Sequence, residues 1–458
     1  MKWPWTRSTP KRPEAFPDAL PADVVRDYER SRTIRNKEHI CHAPFNNLYF
    51  NTEGHVAVCW LTFNDPVIYS EDRTLWEIWQ DTKFKSLRDH VAHNDLHYGC
   101  RTCEKNLLNG NFVNVLAKAY DSDVPLGDYP SIIEFELDNT CNLGCTMCNG
   151  MLSSTIRRDR EGLPPLKSPY GQKFIDELRD FIPHLSEARF NGGEPFLIKT
   201  YWPIWEMILE IKPEIKVTIA TNGTVLTSKV KDFMRRGNVH LNISIDGFTA
   251  ETYESIRIGG NFKRLMKNLD WFAEFCNAND RTLCIMINPM RQNWWEMPLF
   301  LNWVNQRNVH LWFNTIQRPE DQAIWNLPAA TLQEIHETLA AAEIAPRPSG
   351  TDAGRYDYNV KTFNNLVHQQ IKDWWHEAQE REAKGEEIHD VPSIRDFLSD
   401  LLPRLDDPEA FRSLWEGLSD EQRARVLRSS VDVDMAVIAE QVNSRSEDEL
   451  IVAIDQLA

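Results

Sequence analysis

The chain has 458 residues, 51 Lys and Arg against 68 Asp and Glu, and a formal net charge of −17. That acid excess argues against a nucleic-acid backbone as a dominant partner, because phosphate contacts need Lys and Arg. The hydrophobic share of 42% suits a globular core, no apolar run of about 18 residues marks a membrane span, and residues 1–17 lack the apolar stretch of a signal peptide, so a cytoplasmic protein without membrane contact is expected.

In chain order, the first patterned segment runs from Cys41 to Cys59. It reads as a strand, a turn at Glu53-Gly54 and a returning strand, which brings Cys41 and Cys59 near each other. A helical pattern follows from Thr74 to His90, and then a CxxC pair, Cys100 and Cys103. Two cysteines from a hairpin and two from a CxxC complete a tetrathiolate set. On spacing alone that set suits zinc, the commoner occupant, or an iron–sulfur cluster.

From Ser131 to Gln317 short strands alternate with helices, the pattern of a parallel sheet. Six strands are expected, at Ile132–Asp138, Glu187–Asn191, Lys216–Thr221, His240–Ile245, Thr282–Asn288 and His310–Ile316. Helices are expected at Gly171–Phe181, Tyr201–Ile211 and Asn261–Cys276. Six strand–helix steps make a partial (βα)6 TIM barrel, an α/β fold in which the chemistry sits at the C-terminal strand ends. The loop after the first strand carries Cys141, Cys145 and Cys148 with the spacing CxxxCxxC. Three thiolates can hold three irons of a [4Fe–4S] cube, and four is the usual number, so the fourth iron is either ligated from afar or open for chemistry. The second strand ends in Asn191-Gly192-Gly193-Glu194-Pro195. Cys276 and Cys284 lie in a helical and a strand pattern and read as small buried hydrophobes.

After Arg318 the pattern changes. Residues 321–354, with Pro346-Arg347-Pro348-Ser349-Gly350, read as a linker. Helical segments follow at Lys361–Arg381, Val391–Leu402, Pro408–Leu418, Ser419–Ser429 and Val433–Gln456. From Glu377 onward there are 21 acidic and 9 basic residues, the composition of a solvated helical cap or of a docking surface for a basic peptide or a reductase. Trp374-Trp375 reads as core.

A three-cysteine loop after the first strand and a GGEP after the second resemble the radical S-adenosylmethionine (radical SAM) superfamily. The resemblance implies that the open iron binds the methionine moiety of S-adenosyl-L-methionine, and that reductive cleavage yields a 5′-deoxyadenosyl radical that abstracts a substrate hydrogen atom. It implies that Gly192, Gly193 and Glu194 meet the methionine amino group, that Asn222 lines the cofactor pocket, that Ser244 and Asp246 contact the sulfonium region and ribose, and that Arg257 pairs with the methionine carboxylate; Asn288 and Asn293 carry less of it. The pattern from Cys41 to Cys103 resembles the SPASM domain, in its one-cluster twitch form because only four cysteines are present. This turns the tetrathiolate set from zinc to an auxiliary [4Fe–4S] cluster. In most relatives that domain follows the barrel, and here it comes first.

The expected division is therefore an extension over 1–38, an auxiliary-cluster domain over 39–128, the barrel over 129–320, the linker, and an acidic helical extension over 355–458. The expected activity is radical SAM oxidation of a peptide or small-molecule substrate, with the auxiliary cluster taking the product radical's electron and a flavodoxin or ferredoxin as donor. The alternatives are a redox-neutral enzyme with a structural auxiliary cluster, a zinc-binding interaction protein, and an electron carrier. The last has no use for a cofactor pocket.

Overall fold

The computed structural model describes residues 16, 18–62, 66–112, 115–121, 127–384, 397–398, 401–419, 422–423, 426–427 and 435–455. Among these residues nine strands are present: β1 (Asn47–Phe50), β2 (His55–Ala57), β3 (Val67–Ile68), β4 (Ile132–Phe135), β5 (Glu187–Phe190), β6 (Lys216–Thr221), β7 (Val239–Ser244), β8 (Leu283–Ile287) and β9 (His310–Phe313). Their order is β3-β2-β1-β4-β5-β6-β7-β8-β9 in a mostly parallel sheet that does not close, as a partial barrel requires. The chain divides into two compact units, one of 1–141, 166–221 and 225–241, the other of 142–165, 222–224 and 242–458.

In the first unit β1 and β2 form the antiparallel hairpin expected at Glu53-Gly54, with Tyr49 opposite Ala57. β1 also pairs parallel with β4, Tyr49 opposite Glu134, so the cysteine hairpin extends the barrel sheet by its own strands. β4, β5 and β6 continue in parallel register. Side chains alternate across these strands. Phe50, Phe135 and Phe190 stack on one face, with Phe135 and Phe190 at 4.8 Å between centroids, and the row continues through Trp205 and Phe233 on the covering helices Tyr201–Ile211 and Ser228–Arg236. The other face is polar. Asn47 donates to Glu134 at 2.7 Å, Arg189 pairs with Glu187 at 3.0 Å, and Thr218 donates to Glu187 at 2.7 Å.

The expected helix from Thr74 to His90 is two helices, Leu75–Trp79 and Thr82–Ala92. Thr74 and Glu77 form a capping box on the first, and Asp81 breaks the run by capping the second. β4 stops at Phe135, short of the expected Asp138, because the Leu137 N–H is taken by the Tyr201 hydroxyl, 3.0 Å away.

In the second unit β8 and β9 pair in parallel, Cys284 opposite His310. Cys276 is buried in the helix Phe262–Ala278, as expected, whereas Cys284 alternates outward in β8 and is half-buried. The segment read as a linker contains the helix Ala329–Ala340, whose Leu332 packs with Ala378 and the flanking Trp374 and Trp375. Helix follows continuously from Ala353 to Ala383, with a π turn at Leu366–Ile371. Asn359 is fully buried there. Its Oδ1 accepts the Leu311 N–H of β9 at 2.9 Å, and its Nδ2 donates to the Val309 carbonyl. Further on, Phe397, Leu401, Phe411, Leu414 and Trp415 form a separate small core. The expected helices at Val391–Leu402 and Ser419–Ser429 lie largely outside the described residues, and the last expected helix is two, Met435–Asn443 and Glu447–Asp455.

Candidate cofactor and iron–sulfur sites

The eight-residue run Cys141–Cys148 leaves the C-terminal end of β4. Cys145 is buried, and Cys141 and Cys148 are half-buried. In the second unit the run is held on both sides of Cys145. The Gly144 N–H donates to the Ile258 carbonyl and the Thr146 N–H to the Ile256 carbonyl, each at 2.9 Å. Arg160 donates to the carbonyls of Cys145 and Cys148. Asn222, expected in the cofactor pocket, donates to Asn142 Oδ1 at 3.0 Å and accepts from the Thr224 hydroxyl at 2.6 Å, so it braces the cysteine run.

In the first unit the GGE segment lies against the end of β4. A Cβ on Gly193 would stand 2.2 Å from the Thr140 carbonyl oxygen, and one on Gly192, whose φ is +84°, 2.8 Å from that of Asp138. The missing side chains thus serve the approach of two backbone segments, a reason the sequence reading did not contain. Glu194 is fully buried. Its N–H donates to the Thr140 carbonyl at 2.7 Å, and its carboxylate accepts from the Thr221 hydroxyl at 2.8 Å.

Asp246 and Arg257, expected to meet opposite ends of one cofactor, meet each other. Asp246 is fully buried at φ +63°. Its Oδ2 accepts from Arg257 Nε at 3.0 Å and Nη2 at 2.5 Å, and its Oδ1 accepts from the Asn288 N–H at 2.6 Å. Asn293 donates to the Asp246 carbonyl at 2.8 Å. The remaining guanidinium nitrogen, Nη1, stands 3.9 Å from Cys145 Sγ. Ser244 is half-buried at the end of β7.

The other four cysteines come together in the first unit. Cys41, Cys59, Cys100 and Cys103 line one cavity, closed by Pro44, Val58 and Leu107 and by Tyr120. Burial, reinforced by the neighbouring thiols, pushes the Cys41 thiol well up, and burial raises Cys100 to about 12. Buried thiolates at this density need a cationic centre among them. Backbone donors suited to thiolates are in place. The Leu61 N–H points at Cys59 Sγ from 3.4 Å, the Ala43 N–H serves Cys41, and the N–H groups of Leu116 and Ala117 serve Cys103. The Tyr120 hydroxyl donates to Glu134 at 2.7 Å and stands within hydrogen-bond reach of Cys59. The donors from 116–120 were missed by sequence reasoning, because a 3-10 turn without cysteine or glycine carries no spacing signal.

A further group was also missed. Glu136 follows β4 on its polar face and accepts a hydrogen bond from the Tyr49 hydroxyl. Burial pushes its carboxyl up to about 7. No motif marks it, since the pairing depends on the β1–β4 register.

Residues 136–304 match the model of the radical SAM superfamily, and residues 41–104 match that of an iron–sulfur cluster-binding domain, SPASM. An AdoMet-dependent heme synthase of Methanosarcina barkeri is 29% identical over 154 residues, 32% of this chain and 40% of that protein. A GTP 3′,8-cyclase of Lactiplantibacillus plantarum is 31% identical over 158 residues, 34% of this chain and 44% of that protein. The chain thus spans less than half the length of these curated relatives. Among solved structures, SuiB of Streptococcus suis bound to S-adenosylmethionine aligns with a TM-score of 0.35 and 14% identity, over 68% of this chain and 69% of that one. The two matched domains imply [4Fe–4S] clusters, and among the described residues no helix is long and apolar enough to cross a membrane. Residues 136–304 thus form a radical SAM domain, and the SPASM iron–sulfur domain of residues 41–104 stands N-terminal to it.

Proposed function

We propose that the chain is a radical SAM enzyme that oxidises a peptide or small-molecule substrate, with the Cys41/Cys59/Cys100/Cys103 site as the electron outlet. Cys141, Cys145 and Cys148 hold the cube that leaves one iron open. Together, that cube and S-adenosyl-L-methionine supply a 5′-deoxyadenosyl radical for hydrogen abstraction. Gly192, Gly193 and Glu194 present backbone and carboxylate to the methionine end, and Asn222 fixes the cysteine run. Ser244 meets the nucleoside side, while Asp246 holds Arg257.

The observation that carries the oxidative reading is the cavity ringed by four thiols and served by backbone N–H groups. Four thiolates suit zinc and a [4Fe–4S] cube alike, and the match of residues 41–104 to an iron–sulfur cluster-binding domain favours the cube. Complete ligation leaves no iron there for substrate, which favours electron acceptance over substrate ligation.

The test is anaerobic reconstitution followed by elemental analysis and a cofactor-cleavage assay. About eight irons per chain are expected, as for two four-iron cubes. Cys145→Ala should abolish 5′-deoxyadenosine formation while the auxiliary site keeps its iron. About four irons with one zinc would restore the zinc reading of the auxiliary site. Cofactor cleavage by Cys145→Ala would remove the cube from the catalytic role.

A further inference from the structure

Arg257 is already committed to a carboxylate of its own chain. Two of its three nitrogens are on Asp246 Oδ2, a carboxylate pinned through Oδ1 by Asn288 and through its own backbone by Asn293. The guanidinium is planar and its Nε and Nη2 both donate to the one oxygen Oδ2, so the direction of Nη1 is fixed. That direction is toward Cys145 Sγ, at 3.9 Å. The residues on either side of Arg257 hold the residues on either side of Cys145 by the two backbone bonds from Gly144 and Thr146. The side chain and its target are thus locked in one frame, and both are buried.

A fixed cation beside one thiolate ligand acts on the cluster's electronics. Net charge and hydrogen bonds to the sulfurs are among the main determinants of an iron–sulfur potential. An electron added to the cube increases the negative charge shared with its thiolates, and a guanidinium in a low-dielectric site stabilises that charge strongly. The other nearby arginine, Arg160, addresses carbonyl oxygens of the same run and not a sulfur.

We propose that Arg257 is a positioning residue for the three-cysteine cube, held by Asp246 so that it stabilises the reduced cluster through Cys145 and raises its reduction potential. This rests on the radical SAM reading, but it assigns Arg257 to the cluster and not to the methionine carboxylate. Asp246 accordingly serves as the latch.

The experiment is a redox titration of the reconstituted full-length chain without S-adenosyl-L-methionine. It follows the reduced-cube EPR signal identified as the component lost in Cys145→Ala. In Arg257→Gln the ratio of reduced to oxidised cube at a fixed potential should fall on the order of tenfold, a shift of about 59 mV toward negative potential for one electron. Arg257→Lys keeps the charge but cannot hold Asp246 and reach the sulfur together, so a smaller shift of the same sign is expected. An unchanged midpoint in Arg257→Gln, with the signal retained, overturns the proposal. If the Gln variant takes up no cube, the Lys variant decides, and an unchanged midpoint there overturns it. A merely structural arginine would alter iron uptake and leave the midpoint where it was. Failure of the wild type to form a Cys145-dependent cube would instead overturn the underlying reading.

Discussion

Glu136 shows how one residue takes its chemistry from its neighbours. It ends the polar side of β4, hydrogen-bonded by Tyr49 from the adjoining strand, and burial raises its carboxyl to about 7. Between the ordinary carboxylate value of 4.5 and about 7 the folded chain therefore holds a proton that the unfolded chain has released. The unfolded state binds fewer protons across that window, so this group's contribution to stability is complete below 4.5 and is lost as pH rises through 7. Glu136→Gln cannot ionise. Its melting temperature should match the wild type near pH 4.5 and exceed it increasingly toward pH 8, by the equivalent of about 1–3 kcal/mol after discounting for partial exposure. Parallel melting curves of the two proteins across pH 4.5–8 check this, and a constant difference would mean that Glu136 is ionised throughout. The cysteines and the GGE run were legible because chemistry fixes their type and spacing. Glu136, Tyr120 and the Arg257–Asp246 latch were not, because each depends on a partner brought close only by folding.

At the scale of elements, the six barrel strands fall where the pattern of apolar runs and turn residues places them, and only their ends differ. Those ends are set by tertiary bonds that no local pattern contains, as with the Tyr201 hydroxyl on Leu137. The auxiliary element was also readable as a hairpin and a CxxC; its pairing with β4 was not, since β1 and β4 are separated by some eighty residues. That pairing makes a prediction about the division of labour. The CxxC stands at the start of the helix Arg101–Leu108, away from the ladder of β1 and β4. Replacing Cys100 and Cys103 with alanine should therefore empty the auxiliary site and leave the sheet intact. Cofactor cleavage should persist, and conversion of the physiological substrate should stop because the product radical has no outlet. Circular dichroism and the remaining four irons establish folding first, since a metal site contributes folding energy. A folded double mutant that completes substrate oxidation at the wild-type rate would make the auxiliary cluster structural and the reaction redox-neutral.

At the scale of the whole molecule, the acidic C-terminal helices hold a small core of their own around Phe411, Leu414 and Trp415. Composition showed their charge and helicity but gave no sign of that core, because the apolar residues are spread thinly among acids. The segment read as a linker is helical for a similar reason: its prolines flank Ala329–Ala340 and do not interrupt it.

The open sheet has a consequence for solubility. An unclosed barrel leaves two terminal strands whose unpaired backbone groups could recruit another chain. One terminus is β3, two residues long and preceded by Pro66, too short to template a neighbour. The other is β9, a four-residue run of His-Leu-Trp-Phe. There the buried amide of Asn359 accepts the Leu311 N–H that an incoming strand would need. A single side chain thus occupies the free edge. Asn359→Leu should leave cluster content unchanged yet raise the rate of concentration-dependent aggregation severalfold, measured by light scattering under anaerobic conditions, while a substitution at the exposed Trp312 on the same strand should not. Equal aggregation of Asn359→Leu and wild type would mean that the packed helix Ala353–Asn365 by itself seals that edge.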